Sequence, residues 1–158
     1  MASAFRKLTP VLIVDAIEPC LPFWEDRLGF TVVAKVPHPS HDSGQASTTI
    51  GFAILVKDGV ELMYQTRASV AEDNAASVPA AGTATDTTGL FFEVEDIEAV
   101  AAAVADLEQV VPRRRTFYGM DEVGVREPGG RVVMFAQPVA DAATAPAEST
   151  QAVEPTGT

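Results

Sequence analysis

The sequence predicts an α+β fold built from two similar halves, each with a strand, a helix and further strands. One observation is an internal repeat, because the segment "LIVDAIE" (12–18) matches the segment "FEVEDIE" (92–98) without a gap. A second is a set of apolar stripes at helical period, and a third is a set of strands with alternating faces. Similar segments in the same order indicate a duplication.

The last strand of each half provides a second match. Setting Val60-Glu61-Leu62 against Val133-Met134-Phe135 makes Glu61 the counterpart of Met134, with a shorter offset than the first match because the loops between differ in length. Two matches in the same order favour duplication over chance.

The repeat divides the chain into a first unit (1–65), a linker (66–88), a second unit (89–138) and a tail (139–158). The linker is rich in small residues, and we expect one or two helical turns near 68–76. The tail contains mostly Ala, Thr, Pro and Glu, with little to bury, so it is predicted to be disordered.

Each half contains one predicted helix. In the first half Leu21, Trp24 and Leu28 lie on one face, and Gly29 ends the helix. In the second half Asp96 is the predicted N-cap. An apolar stripe there runs through Ile97, Val100, Val104, Leu107 and Val111. The basic run 113–115 then follows the helix, as a favourable charge at its C-terminus or as a solvated face.

The strands have one uniformly apolar face, which should pack on the helices. The other face is mixed, and it includes Glu61, Met63, Phe91, Glu93 and Met134. This mixture suits a concave surface that lines a ligand cavity. A half-covered outer face is the alternative.

Composition excludes some classes of function. The formal net charge of −11 argues against a nucleic-acid partner and is compatible with cationic small molecules. No apolar run is long enough for a transmembrane helix. The single cysteine, Cys20, allows no intrachain disulfide and, with an N-terminus that lacks a signal peptide, predicts a cytoplasmic protein.

Several segments together resemble a known family. Phe23-Trp24 followed by Leu28-Gly29-Phe30, the duplicated unit, and Glu127-Pro128-Gly129-Gly130 before the last strand are similar to the vicinal oxygen chelate superfamily. That superfamily includes glyoxalase I, extradiol dioxygenases and bleomycin-resistance proteins. The resemblance covers about residues 5–138. It implies two βαβββ units forming curved mixed sheets around a concave cavity, with helices on the outer faces.

The resemblance also implies where a metal would bind in the family's enzymes. Four ligands, usually His and Glu, come from the first and last strands of each unit. Here those positions carry Thr9, Glu61, Gly89 and Met134. Only Glu61 is a good ligand for a hard or borderline divalent ion. We therefore predict no metal and no cofactor.

The two histidines do not change this expectation. His38 and His41 lie in "VPHPSHDSGQ", a Pro- and Ser-rich stretch interpreted as an exposed loop between strands. Cys20, in the first helix, is interpreted as a packing residue rather than a nucleophile.

The sequence then favours a metal-free binding protein of the bleomycin-resistance type, which sequesters an antibiotic or metabolite in a concave pocket. In the family two units, often from different chains, form each cavity, so a homodimer is implied. A cationic or aromatic ligand is expected, with no membrane or nucleic-acid partner. The predicted ligand-binding residues are Thr9, Trp24, Glu61, Met63, Phe91, Phe117, Tyr118 and Met134.

A superfamily enzyme, such as a lyase, isomerase or dioxygenase, is the alternative. Glu61 would then be the catalytic residue, as a general base or as part of an atypical metal site. Burial among Met63, Phe91 and Met134 would raise its pKa towards neutrality. An interaction module without a small ligand is a third possibility.

Overall fold

The computed structural model describes residues 4, 6–40, 47–77 and 88–139. The first unit forms a four-stranded sheet in the order β1-β4-β3-β2, in which β1 is parallel to β4. Its strands are β1 (Val11–Val14), β2 (Thr31–Ser40), β3 (Ser47–Lys57) and β4 (Val60–Thr66). A helical segment connects β1 to β2. Helix α1 (Arg67–Asn74) follows β4.

The second unit repeats this arrangement. Its sheet has the order β5-β8-β7-β6, with β5 parallel to β8. The elements are β5 (Leu90–Glu93), α2 (Ile97–Ala103), β6 (Gln109–Arg115), β7 (Met120–Arg126) and β8 (Val132–Pro138). The prediction of an α+β fold with two βαβββ units is confirmed.

The first helical segment is short and irregular. A 3-10 turn at Glu18–Cys20 leads into a π-helical stretch at Phe23–Arg27. The prolines at 19 and 22 remove backbone donors at the start of the segment, where they are tolerated. Gly29 ends it at a φ of 72°, a left-handed conformation that suits glycine. The predicted stripe of Leu21, Trp24 and Leu28 is buried.

The second predicted helix begins where expected but ends early. The Asp96 carboxylate accepts a hydrogen bond from the Ala99 amide at 3.0 Å, which confirms the N-cap. The helix stops at Ala103, so Val111 and the basic run 113–115 lie on β6 rather than on or after the helix. β-Branched residues followed by Pro112 favour a strand there.

The prediction of an exposed loop at His38 is wrong. His38 lies on β2, the edge strand of the first sheet, and its side chain is largely covered. The imidazole Nε2 is 3.1 Å from a Glu72 carboxylate oxygen on α1. An edge strand tolerates the neighbouring prolines, because a missing backbone donor there breaks no ladder. His41 lies outside the described residues.

The predicted linker carries helical turns at about the expected place, since α1 and a 3-10 turn at Ala75–Ser77 overlap residues 68–76. Helix α1 covers eight residues, and the Thr66 hydroxyl caps it by accepting from the Ser69 amide at 3.2 Å. Residues 78–87 of the linker, and the tail from 140, lie outside the described residues. No described helix has the length and apolar character that a membrane crossing requires.

Both units share one hydrophobic core. The Trp24 ring lies 5.2 Å from Phe30 and 5.8 Å from Phe92, between centroids, so the first helical segment contacts the second sheet. Phe92 also stacks on Phe135 at 5.7 Å. The buried face of each sheet points into this core, and the opposite face of each sheet therefore points away from it. We refer to these opposite faces as the open faces.

A buried polar chain crosses the same core. The Trp24 indole donates to the Tyr64 hydroxyl at 2.8 Å, and that hydroxyl donates to Glu127 at 2.8 Å. Glu127 also accepts from the backbone amides of Gly129 and Arg131 at 2.8 and 3.0 Å. The Arg131 guanidinium in turn donates to the Ile13 carbonyl at 2.9 Å. This chain ties the turn before β8 to the first unit.

Candidate functional site

The open face of the first sheet carries the residue that the sequence analysis singles out. Along β4, Glu61, Met63 and Gln65 are half-buried, whereas the alternate residues Leu62, Tyr64 and Thr66 are buried. This alternation follows from the period of two along a strand. Glu61 therefore lies on an open sheet face, as predicted, rather than in the core.

Glu61 is held by the chain segment that precedes β1. The Thr9 hydroxyl donates to its Oε1 at 3.1 Å, and the Lys7 ammonium lies 2.6 Å from the same oxygen. The hydrogen bond from Lys7, with that from Thr9, lowers the pKa of Glu61 in spite of partial desolvation. The prediction that the pKa of Glu61 rises towards neutrality is therefore wrong, because Lys7 was not foreseen as its partner. Glu61 is an anion at neutral pH, which weakens its case as a general base.

The open face of the second sheet carries Phe91 and Met134, which are opposite each other in the β5–β8 pairing. Phe91 is 58% exposed although it is a large apolar residue. In the first sheet Val11, opposite Met63, is 47% exposed. Both belong to strands at the edge of their sheet. The two halves of the predicted pocket therefore lie on different sheets, each with an exposed apolar edge.

A polar cluster that sequence reasoning missed lies on the same face of the second sheet as Met134. Glu122, on β7, is buried, and its two carboxylate oxygens have separate partners. The Arg114 guanidinium donates twice to Oε1, at 2.9 and 2.7 Å, and the Tyr118 hydroxyl donates to Oε2 at 2.9 Å. The sequence did contain a signal for this cluster. Alternation along the strand places Glu122 on the mixed face, and the basic run 113–115 precedes it on the neighbouring strand β6.

The remaining predicted residues divide between surface and core. Phe117 is 99% exposed and Tyr118 is 52% exposed, both in the turn between β6 and β7. Trp24 is fully buried in the shared core, on the face of β4 opposite to Glu61. It therefore does not line an open face. A bulky aromatic in a helix pattern gave no indication of which side of the sheet it would cover.

The strand register corrects the predicted repeat in the last strands. Val11 and Phe91 are equivalent in the repeat that matches 12–18 with 92–98, and they pair with Met63 and Met134 respectively. Met134 therefore corresponds to Met63, and the predicted match of Met134 with Glu61 is wrong. Gly59 and Gly130, both at positive φ before these strands, are separated by the same offset as Met63 and Met134.

The corrected register makes the four family positions a poor fit to a metal. They carry Thr9, Met63, Gly89 and Met134. The threonine has a hydroxyl and each methionine a thioether, whereas the glycine has no side chain. A hard or borderline divalent ion prefers carboxylate and imidazole ligands. No cluster of three or more His, Cys, Asp or Glu with metal-site geometry occurs within the described ranges. The residues present therefore do not fit a divalent metal.

Cys20 is also a poor candidate for chemistry. It is buried, and desolvation, with the nearby charge of Glu127, raises its pKa to about 11. A thiol that stays protonated at neutral pH is a weak nucleophile. This agrees with the packing role predicted for it.

The fold defines a class of protein: two βαβββ units that share one core and leave one face of each sheet open. A family model described as the Glyoxalase/Bleomycin resistance protein/Dioxygenase superfamily matches residues 8–135. The chain belongs to this superfamily, as the sequence resemblance indicated. No curated protein sequence is significantly similar to the chain.

Several solved structures have the same fold. A glyoxalase/bleomycin resistance protein/dioxygenase from Nocardioides has 16% identity and a TM-score of 0.65, covering 89% of this chain and 88% of its own. TioX from Micromonospora sp. ML1 has 18% identity and a TM-score of 0.60, covering 84% and 100%. Lactoylglutathione lyase from Agrobacterium tumefaciens has 17% identity and a TM-score of 0.59, covering 85% and 95%. At such identities the likeness establishes the fold alone.

Proposed function

We propose that the protein is a metal-free small-molecule binding protein of the glyoxalase/bleomycin-resistance type, which sequesters an antibiotic or metabolite. The observation that carries the proposal is the donor set on the open faces. The four metal positions hold one hydroxyl and two thioethers. The nearby carboxylates already have partners, since Glu61 is held by Lys7 and Thr9 and Glu122 by Arg114 and Tyr118. Methionine and aromatic side chains suit adaptable apolar contact better than metal chemistry.

Glu61 supports a cationic ligand. Its carboxylate stays charged at neutral pH because Lys7 and Thr9 lower its pKa. Lys7 belongs to the segment before β1 and its side chain is about half exposed, so a ligand ammonium or guanidinium can replace it at the same oxygen. A charge-assisted hydrogen bond would then fix the ligand beside Met63.

We also propose that the binding unit is a cytoplasmic homodimer. The open faces carry half of the predicted pocket each, and strands β1 and β5 pair on one side only within the described part of the chain. Val11 and Phe91 expose apolar surface at these two edges. Placing β1 of one protomer beside β5 of its partner would cover both residues and bring Glu61 and Met63 opposite Phe91 and Met134.

The test combines ligand screening with a matched variant. Thermal-shift measurements against cationic glycopeptides, intercalators and uncharged aromatic metabolites should show stabilisation by a cationic aromatic member. Glu61→Gln should weaken the hit by about tenfold or more, because a charged hydrogen bond is lost. Val36→Thr, an exposed change on β2, is the control and should leave affinity unchanged.

Three results would contradict the proposal. One is the absence of any thermal shift across the three ligand classes. Another is one firmly bound divalent ion per chain in elemental analysis of the purified protein. A third concerns the dimer. Light scattering should give twice the chain mass, and Phe91→Asp should reduce the measured mass to that of one chain. A mass of one chain for the unmodified protein would contradict the dimer. A monomer that binds ligand normally would retain the binding function but overturn the paired cavity.

A further inference from the structure

A groove that none of the predicted ligand-binding residues lines lies between the two units. It has a volume of about 690 Å³, within the range typical of small-molecule sites. One wall comes from the end of the first helical segment and the β3–β4 turn. The other comes from the end of β5 and from α2. The predicted pocket residues, including Glu61, Met63 and Met134, do not line it.

The floor of the groove is apolar and recessed. Leu28, Phe30 and Phe135 are buried, and Phe92 is half-buried beside them. A flat hydrophobic patch would instead leave such side chains widely exposed. The four residues therefore form a cleft that an apolar body of limited size can enter, rather than a broad docking face.

The rim of the groove is acidic. Four carboxylates line it, from Asp58, Glu93, Glu95 and Asp96, against two cationic side chains, from Arg27 and Lys57. The two cations already have partners in the protein.

The partners of these cations are fixed within the fold. The Arg27 guanidinium forms a bidentate pair with Asp106, with one contact at 2.9 Å, and also donates to the Ala103 carbonyl. The Lys57 ammonium donates to the Leu28 carbonyl at 2.6 Å. The charge left to act on a ligand at the rim is therefore negative, in keeping with the formal net charge of −11.

We propose that this groove is a second binding site, for a small amphipathic cation with an aromatic or aliphatic body and an amine head. The body would rest on Phe92 and Phe30, and the ammonium would lie at the rim near Asp58 and Glu95. The site does not depend on the open faces or on a partner chain. It is therefore independent of the binding function proposed above.

The test uses three probes with one body and different heads: 4-phenylbutylamine, 4-phenylbutanol and 4-phenylbutanoate. Calorimetric titration should give the strongest binding for the amine, then the alcohol, and the weakest for the carboxylate. Trp24 is the only tryptophan, and its ring lies 5.2 and 5.8 Å from the groove residues Phe30 and Phe92. Binding should therefore change its fluorescence in step with the heat signal.

Variants locate the site. Ala99→Phe, on the exposed face of α2 that lines the groove, should abolish binding of all three probes by filling the space. Asp58→Asn combined with Glu95→Gln should weaken the amine by about fivefold, the effect of one partly exposed ion pair, and leave the alcohol unchanged. Asparagine tolerates the positive φ of 48° at position 58.

Val36→Thr, an exposed change on β2, is the control and should leave amine binding in the groove unchanged. Glu61→Gln tests whether the amine binds at the open face instead. If Glu61→Gln removes amine binding while Ala99→Phe does not, the amine binds at the open face and the groove inference is overturned. Equal affinity for all three heads, or no binding by any, would also overturn it. Circular dichroism and thermal unfolding of each variant check that the fold is intact.

Discussion

The shared core and the open face of the first sheet each contain a glutamate, and the two glutamates differ in every partner. Glu127 is buried and accepts from the Tyr64 hydroxyl and from two backbone amides. Glu61 is half-buried, and its partners are the hydroxyl of Thr9 and the half-exposed ammonium of Lys7. Fixed donors make Glu127 part of the structure, whereas an exchangeable ammonium leaves Glu61 able to bind a ligand.

Glu122 on the second sheet combines the two situations. It lies on an open face, yet Arg114 and Tyr118 cover it. The rigidity of the donors, rather than the face of the sheet alone, therefore distinguishes a structural carboxylate from a binding one. Substitutions at these sites should differ accordingly in their effect on stability.

Glu127→Ala should have the largest effect. It leaves buried donors from Tyr64 and Arg131 facing an empty volume, which should lower the free energy of unfolding by about 3–5 kcal/mol. Urea unfolding followed by Trp24 fluorescence measures it. Glu127→Gln keeps the shape and should lose less. A loss below about 1 kcal/mol in Glu127→Ala would show that the polar chain does not hold the units together.

Tyr64→Phe should have the second largest effect on stability. It removes the hydroxyl that accepts from Trp24 and donates to Glu127, and it leaves the buried indole donor without that partner. We expect a loss of about 1–3 kcal/mol. The comparison variant is Tyr118→Phe, whose ring is half-exposed and whose hydroxyl donates to the buried carboxylate of Glu122. That change should cost less than Tyr64→Phe, because it removes one hydrogen bond rather than two, and an equal or larger loss for Tyr118→Phe would contradict the comparison.

The surface ion pairs should make the stability of the fold depend on pH. Arg27 lowers the pKa of Asp106, and Arg113 lowers the pKa values of Glu98 and Asp121. A carboxyl group whose pKa is lower in the folded state than in the unfolded state stabilises the folded state at any pH above the unfolded pKa. This contribution is therefore complete at neutral pH. It is lost as the pH falls below about 4, the ordinary range of carboxyl groups.

Melting temperatures from pH 7 down to 3 (roughly the range in which carboxyl groups titrate), at low and high salt, measure this contribution. Asp106→Asn should flatten the low-salt curve slightly, and high salt should reduce the difference between the two proteins. A profile that does not depend on salt would assign the acid sensitivity to buried groups instead.

Glu61→Gln should have the smallest effect on stability. The carboxylate contacts one exposed ammonium and one hydroxyl, so the melting temperature should stay within about 1 °C, as for a surface substitution. Differential scanning calorimetry without ligand is the measurement. A large drop would place Glu61 with Glu127 as a structural group and remove the distinction between the two regions.

The sequence was most informative where periodicity determined structure. The buried stripe of Leu21, Trp24 and Leu28, the Asp96 cap and the split of each strand into two faces follow from local spacing. The sequence failed where the outcome depends on tertiary pairing. The predicted helical stripe extended to Val111, although Val111 lies on β6. The valines near the start of that strand continue the helical spacing by coincidence.

The site was harder to predict for the same reason. The register between β1 and β4 decides which residue of β4 stands opposite a given position, and an error of two positions along the strand keeps the same face. The sequence match therefore placed Glu61 where Met63 belongs. Lys7 and the Arg114–Glu122 pair were also missed, since long side chains meet across strands at distances that local patterns do not encode.

The polar chain through Trp24, Tyr64 and Glu127 bears on the history of the duplication. In the two aligned parts of the repeat, Trp24 corresponds to Val104 and Tyr64 to Phe135, and Glu127 corresponds to Val56. The chain thus exists on one side of the pseudo-symmetric molecule. Two copies of the first unit would place Val56 where the Tyr64 hydroxyl needs its carboxylate acceptor, and two copies of the second would offer neither the indole nor the hydroxyl. The polar chain therefore requires one copy of each unit.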